Sequence, residues 1–440
     1  MKPSRLTSTS SHILCIVLAL AVSGPLWAQA HETDQPRYLI QDLGPLPGGN
    51  FSQAGFVNNN GFVAGVAGAA DGTQHAAIWR GSGIVDAVKR GLGGPNSFAV
   101  SINEFGVADG QAESSEKDPY NENFCAYGTG LKCLPFVWRF GSLRQLPTLG
   151  GNNASVGNIS NRGEVAGYAE KGTRDPGCLP GVAPNGTGPQ VLGYEGVLWG
   201  PGRGEIRKLR PLRGDTVSAA LWINDKGEAV GASGDCANTI IPPIAVGPHA
   251  VLWGRDGSVH NLGTLGGTVN PAVIASGQVA LGINNQGEVI GTSALKGNTV
   301  NHAFLWTRER GMRDLGTVGQ DLNSAAQGIN ERGQIVGSSY DTLMQSRAFL
   351  AVHGKPTDLN TLVCGEPSLY LLVAFGINTG GEIAGFGVVP STGEVHGYLA
   401  TPCNRCNEGL KENAKAVLSE NARKTLTEHL RHYYHMRSSQ

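Results

Sequence analysis

The sequence predicts an all-β fold, a seven-bladed β-propeller of four-stranded antiparallel blades. Three observations carry that prediction. One unit recurs seven times, each copy reads as four short strands joined by glycine turns, and the array has an unpaired strand of complementary type at each end. Composition agrees: glycine supplies 65 of 440 residues, roughly twice its ordinary share, and charged residues are 16% where roughly 25% is usual. Glycine weakens helix interiors and solvent-facing helices need a charged face, so long helices and coiled coils are excluded from the body. Apolar residues at 40% suffice for a core, which excludes wholesale disorder.

The first thirty residues read as an address. Lys2 and Arg5 precede an apolar run from Ile13 to Val22, and Ala28-Gln29-Ala30 follows. This is the pattern of a cleavable secretory signal, with cleavage near Ala30. At about 10 residues the run is too short to span a bilayer, and no later stretch approaches a transmembrane helix. The expected organisation is a signal peptide over 1–30, a short linker over 31–37, the propeller over 38–403 and a tail over 404–440. The mature protein is expected to be secreted or periplasmic, with a charge near −3 from 32 basic and 35 acidic residues once Lys2 and Arg5 leave. No basic block occurs in the body, so nucleic acid is not an expected partner.

The clearest repeat element is N-x-x-G-x-x-x-G after an aliphatic residue. It occurs at Asn58, Asn103, Asn224, Asn284, Asn330 and Asn378, and a seventh copy has Ser160 in the Asn place. The first glycines of successive copies lie 45, 57, 64, 60, 46 and 48 residues apart. Asn favours the start of a turn and Gly supplies positive φ, so each tetrad turns one strand into the next. A Trp-type strand follows, as in His302-Ala303-Phe304-Leu305-Trp306, and then a strand of the type Asp314-Leu315-Gly316. Small residues on the first two strands suit the crowded centre of a ring. Trp79, Trp138, Trp199, Trp253 and Trp306 suit packing between blades. The first D-L-G strand, Tyr38–Leu43, has no Trp-type strand before it, and the last Trp-type strand, around Tyr398, has no D-L-G strand after it. The N-terminal strand is therefore expected to complete the seventh blade and close the ring, removing two sheet edges.

These elements resemble the HAF-type probable extracellular repeat family. The closest copy runs from Leu262-Gly263-Thr264-Leu265-Gly266-Gly267 through Ile283-Asn284 to His302-Ala303-Phe304-Leu305-Trp306, and the likeness covers roughly Tyr38 to Cys403. The second, third and fourth copies depart from it through long insertions. The resemblance implies export and repeat architecture and brings no catalytic residues.

No metal-ligand, cofactor or catalytic motif stands out. His75, His249, His302 and His396 recur in register before the Trp strand, which marks them as repeat consensus, satisfying backbone groups at a strand entry. Asn-rich turns such as Asn58-Asn59-Asn60-Gly61 lack calcium-loop spacing and read as turn chemistry. Neither a nucleophile elbow, a zinc-binding H-E-x-x-H nor a P-loop is present. Cys403-Asn404-Arg405-Cys406 lacks both the following His of a haem site and a thioredoxin context. No cofactor and no catalytic residue is assigned.

Alternating strands place the loops after each second strand on one face with the inter-blade connections. Cys125 and Cys133 share one such loop and are expected to pair. Cys178 and Cys236, in the same loop of adjacent blades, are the next pair, and the pairing of Cys364, Cys403 and Cys406 stays open. The insertions Gln111–Leu134, Ala169–Glu195 and Ala232–Pro248 lie on consecutive blades and should form one raised sector. Tyr120, Phe124, Tyr127 and Tyr194 are its rings for stacking on a sugar or peptide, with Lys117, Arg174 and Asp175 as polar contacts. In the tail, Leu410, Ala414, Val417, Leu418, Ala422, Leu426, Leu430 and Tyr433 trace a narrow apolar helical stripe, a C-terminal helix available to dock on the propeller or on a partner. The functional expectation is an exported binding or scaffold module for an extracellular glycan or protein. The alternatives are a propeller hydrolase or lyase acting on an extracellular polymer, and a surface adhesion module.

Overall fold

The structure is a computed structural model that describes residues 36–89, 91–178, 189–236, 247–268, 277–341, 345–403 and Lys424. The expected signal peptide lies outside the described residues, as does the C-terminal helix apart from Lys424, so neither is supported here. The rest is all-β. Seven separate four-stranded antiparallel sheets form the blades, six of them built from consecutive strands. Blade 1 runs from Ser52 to Asp86, blade 2 from Gly93 to Gln145 and blade 3 from Gly150 to Leu209. Blade 4 runs from Val217 to Asn261, blade 5 from Gln278 to Gly316 and blade 6 from Asn323 to Asp358.

Blade 7 contains Tyr370–Ile377, Ile383–Val388 and Val395–Cys403, and its outer strand is the N-terminal Arg37–Leu43. The pairing is antiparallel and in register from Arg37 opposite Cys403 to Leu43 opposite Gly397. Ring closure by the N-terminal strand is thus as the orphan count predicts. The blades meet through apolar seams. Trp79 packs with Leu43 and Leu399 at the seam between blades 7 and 1. Trp199 packs with Val137 and Leu146, and Trp253 with Leu198 and Leu209, so each indole faces the preceding blade. Three indole N–H groups also donate to a carbonyl there, Trp79 to Gly44, Trp199 to Pro147 and Trp253 to Arg210, at 2.7–3.2 Å.

The consensus Asn does more than start a turn. In five of the six Asn copies its Oδ1 accepts the N–H groups two and four residues on, as Asn58 does from Asn60 and Phe62 at 3.0 Å, and Asn378 accepts from the fourth, Glu382. Its Nδ2 is then free to reach the next blade. Asn58 donates to Asn103 O, Asn103 to Ser160 O, Asn224 to Asn284 O, Asn284 to Asn330 O, Asn330 to Asn378 O, and Asn378 back to Asn58 O, at 2.8–3.1 Å. Ser160 has no amide to give. Asn158 takes over that seam, donating to Ile223 O at 3.2 Å and accepting from Ile223 N at 2.6 Å. All seven seams therefore carry one side-chain amide, always pointing to the following blade.

The two motif glycines are required for different reasons. Gly287 has φ +81° with open space around it, so alanine there meets only backbone strain. At Gly291 an added Cβ would lie 2.0 Å from Val279 O and 2.9 Å from the Phe304 ring. Gly287→Ala is expected to cost about 1 kcal/mol, and Gly291→Ala about 3 kcal/mol because backbone must move. Urea midpoints in the reverse order would refute this division of labour.

The register histidines differ from expectation. They pair with carboxylates rather than with backbone groups. His75 Nδ1 meets Asp86 at 2.8 Å, and His249, His302 and His396 meet Asp215, Asp314 and Asp42 at 2.9 Å. Asp42 and Asp314 are the acidic residues of their D-L-G strands, so the recurring His and Asp are two halves of one contact. In blade 6 Arg347 replaces the His and contacts Asp321 at 3.0 Å.

Candidate binding sector on the loop face

Lengthened second and third strands carry the sector. The second and third strands of blade 2, Val107–Lys117 and Leu131–Arg139, and those of blade 3, Val165–Arg174 and Leu192–Trp199, outrun their blade 5 counterparts, Val289–Ala294 and Asn301–Thr307. They extend past the ring on the loop face. Two disulfides tie this extension, Cys125–Cys133 within blade 2 and Cys178–Cys236 between blades 3 and 4. Both pairings are those expected from strand direction. Cys364 is also disulfide-bonded, and Cys403 is free and half-buried.

Beneath the loops sits a second apolar core. Phe124, Tyr168 and Tyr194 pack with all four cysteines and with Val217 and Ala219 of blade 4. Tyr168 stands 5.7 Å from Phe124 and 5.9 Å from Tyr194, centroid to centroid. Phe124 and Tyr194, expected to be stacking surfaces, are 1% and 0% exposed. This corrects their assignment: a raised loop pair needs its own core, and these rings fill it. Tyr127 is half-buried and lies edge-on to Phe98 at 6.4 Å. The remaining residues reach solvent. Lys117 is exposed and donates to Thr129 O at 3.0 Å, and Asp175 is half-buried, accepting from Gly177 N at 2.9 Å. The exposed Arg174 guanidinium lies 5.1 Å over the half-buried Tyr120 ring. The structure thus gathers Tyr120 and Arg174 into one surface feature spanning blades 2 and 3.

Sequence reasoning missed a buried acidic group in the same sector. Oxygens of Asp118, Glu122 and Glu170 lie within 4.8 Å of one another, and all three residues are buried. Asn153 Nδ2 bridges Asp118 at 2.8 Å and Glu170 at 3.1 Å, and Gln190 donates to Glu170 at 3.0 Å. Glu122 accepts the backbone N–H groups of Val191 and Leu192. Burial, and then the neighbouring Glu122 charge, push the Glu170 carboxyl up to about 9, while burial raises that of Glu122. A signal was present. Three residues after the second motif glycine, blades 2 and 3 have Glu113 and Glu170, where the other copies carry Gly68, Gly234, Ala294, Tyr340 and Val388.

Other features bear on chemistry. Phe56 of blade 1 and Trp222 of blade 4 meet at 4.4 Å. Those blades are as far apart as a seven-membered ring allows, so the contact crosses its centre and fills it with apolar rings. Thr73 Oγ1, His75 and Asp86 line up at 2.9 and 2.8 Å, superficially a hydroxyl–imidazole–carboxylate triad. The Thr73 hydroxyl donates to Asp71 at 2.5 Å, however, so its oxygen faces His75 as an acceptor and is not activated. An open groove of about 560 Å³ lies elsewhere, on the rim between blades 1 and 2, lined by Val85, Trp138 and Phe140 among others.

No protein-family model matches the sequence, and no curated protein resembles it in sequence. Solved structures resemble it in strand arrangement at low identity. A puromycin-hydrolysing peptidase of Mycobacterium tuberculosis is 11% identical with a TM-score of 0.49, the match covering 87% of this chain and 57% of that one. The Aleuria aurantia lectin AAL is 9% identical with a TM-score of 0.34, covering 82% of this chain and 99% of that one. Trypanosoma rangeli sialidase is 10% identical with a TM-score of 0.37, covering 83% and 58%. The chain spans 57%, 40% and 53% of the first three such structures. The propeller assignment rests on this chain's own blade count and ring closure.

Proposed function

We propose that the protein is an exported binding module that holds an extracellular glycan or peptide on the raised sector of blades 2–4. The observation that carries this reading is the sector's construction: loops from adjacent blades, tied by two disulfides over a private core, present the Tyr120–Arg174 stack to solvent. A loop tied by a disulfide has less freedom to lose on binding, and an aromatic ring flanked by a guanidinium suits a sugar face or a peptide. The disulfides fit an oxidising compartment, and among the described residues no helix is long and apolar enough to cross a membrane. The apolar filling at the ring centre supports a surface site over a channel site.

The test is a screen of the purified protein against glycan and peptide arrays, followed by affinity measurements on variants. Tyr120→Ala and Arg174→Ala should each weaken the ligand by about tenfold or more, with Lys117→Ala weaker in effect. A ligand whose affinity neither substitution moves would place the site elsewhere. Turnover of an extracellular polymer in the same screen would favour the propeller-enzyme reading.

A further inference from the structure

Beneath that surface, the buried oxygen cluster has a chemistry of its own. We propose that Asp118, Glu122 and Glu170 form a calcium site that fastens the long loop of blade 2 to blade 3. Their oxygens lie within 4.8 Å of one another, the spacing of ligands around a single calcium ion with bonds of about 2.3–2.6 Å. The ligand set is all carboxylate, the hard-oxygen chemistry of calcium rather than of zinc or copper.

A second observation points to a missing partner. Glu122 is 0% exposed, and its Oε2 is buried without a hydrogen-bond partner. The other carboxylate oxygens are reached by neutral donors: the Asn153 and Gln190 amides and the backbone N–H groups of Tyr120, Asn152, Asn153 and Val191. Such donors orient the carboxyls but bring no positive charge, so ionising the buried group is costly unless a counter-ion enters to neutralise it. Asp118 and Glu122 flank the blade 2 turn that leads to Cys125, and Glu170 stands on the second strand of blade 3. One ion would therefore cross the same seam that Arg174 and Tyr120 cross at the surface. The site does not depend on what the surface binds.

The experiment is calorimetric titration of chelator-treated protein with calcium chloride and, separately, magnesium chloride, alongside thermal unfolding. One calcium per chain and a higher melting temperature in calcium are expected. Glu170→Gln and Asp118→Asn keep shape and remove charge. Each should weaken calcium by about tenfold or more and abolish the calcium-dependent rise, while folding in chelator at least as well as the parent. Glu116→Gln, on the exposed part of the same loop, should bind as the parent does. Absence of calcium binding in the parent, unchanged binding in both site variants, or equal affinity for magnesium would each overturn the assignment.

Discussion

Deleting residues 37–43 is expected to abolish the cooperative, monomeric fold. This strand enters two seams at once. Tyr38 is fully buried against Leu359, Leu362 and Tyr398, and its carbonyl accepts from Cys364 N at 2.8 Å. Leu43, 2% exposed, packs with Trp79 and Leu399 at the next seam. Asp42 is the partner of His396. Truncating one buried aromatic or leucine costs about 2–5 kcal/mol, so loss of the whole strand rivals the roughly 5–15 kcal/mol margin of a folded domain. It would also bare the edge of Val395–Cys403 for pairing between molecules. Tyr38→Ala alone should cost about 3–5 kcal/mol. Tyr38→Phe should be near neutral, because the hydroxyl it removes is buried without a partner. Urea unfolding and sedimentation read both; a truncated protein with the parent midpoint that stays monomeric would contradict ring closure as the source of stability.

Stability should also fall as pH rises from about 4 to about 7, and Asp109 is the cause to isolate. It occupies a second-strand position that Ala64, Ala166, Val230, Ile290, Val336 and Ala384 fill elsewhere. Complete burial raises its carboxyl from the ordinary 3.8 to about 7, opposed only in part by hydrogen bonds from the Ser101 N–H and hydroxyl, both at 2.8 Å. Between those two values the folded chain holds a proton that the unfolded chain has released. This contribution is therefore fully present below about pH 4, declines as pH rises and is gone above about 7, a loss on the order of 4 kcal/mol. Asp109→Asn should flatten that part of the profile and exceed the parent in stability at pH 8. Parallel pH profiles for the two proteins would refute the assignment.

The fold was legible because its determinants are local and repeated. N-x-x-G writes its turn within a few residues, and the spare strands at Tyr38 and Tyr398 declare each other by type. Strand direction alone also placed both disulfide pairs. The candidate site was less legible because it is a departure from the repeat. Phe124 and Tyr194 read as exposed rings because loop residues usually face water, whereas these loops enclose a core. Asp118, Glu122 and Glu170 are brought together only by the docking of two blades, a relation that spacing along the chain does not express. Their trace in the sequence was Glu170, standing where five other copies carry an uncharged residue.

The amide at each seam has an electrical consequence. The seven seam amides described above all donate the same way around the ring, so these hydrogen bonds form a head-to-tail circuit of dipoles. Neighbouring dipoles in such a circuit polarise and strengthen one another. Because the circuit closes, their vectors cancel, and the face bearing the turns gains almost no axial field from them. Formal charge on that face comes instead from turn side chains such as Glu104, Asp225 and Glu331, each receiving an N–H group from the preceding blade. An approaching charged molecule would therefore be steered at that face by these side chains and not by the hydrogen-bond circuit.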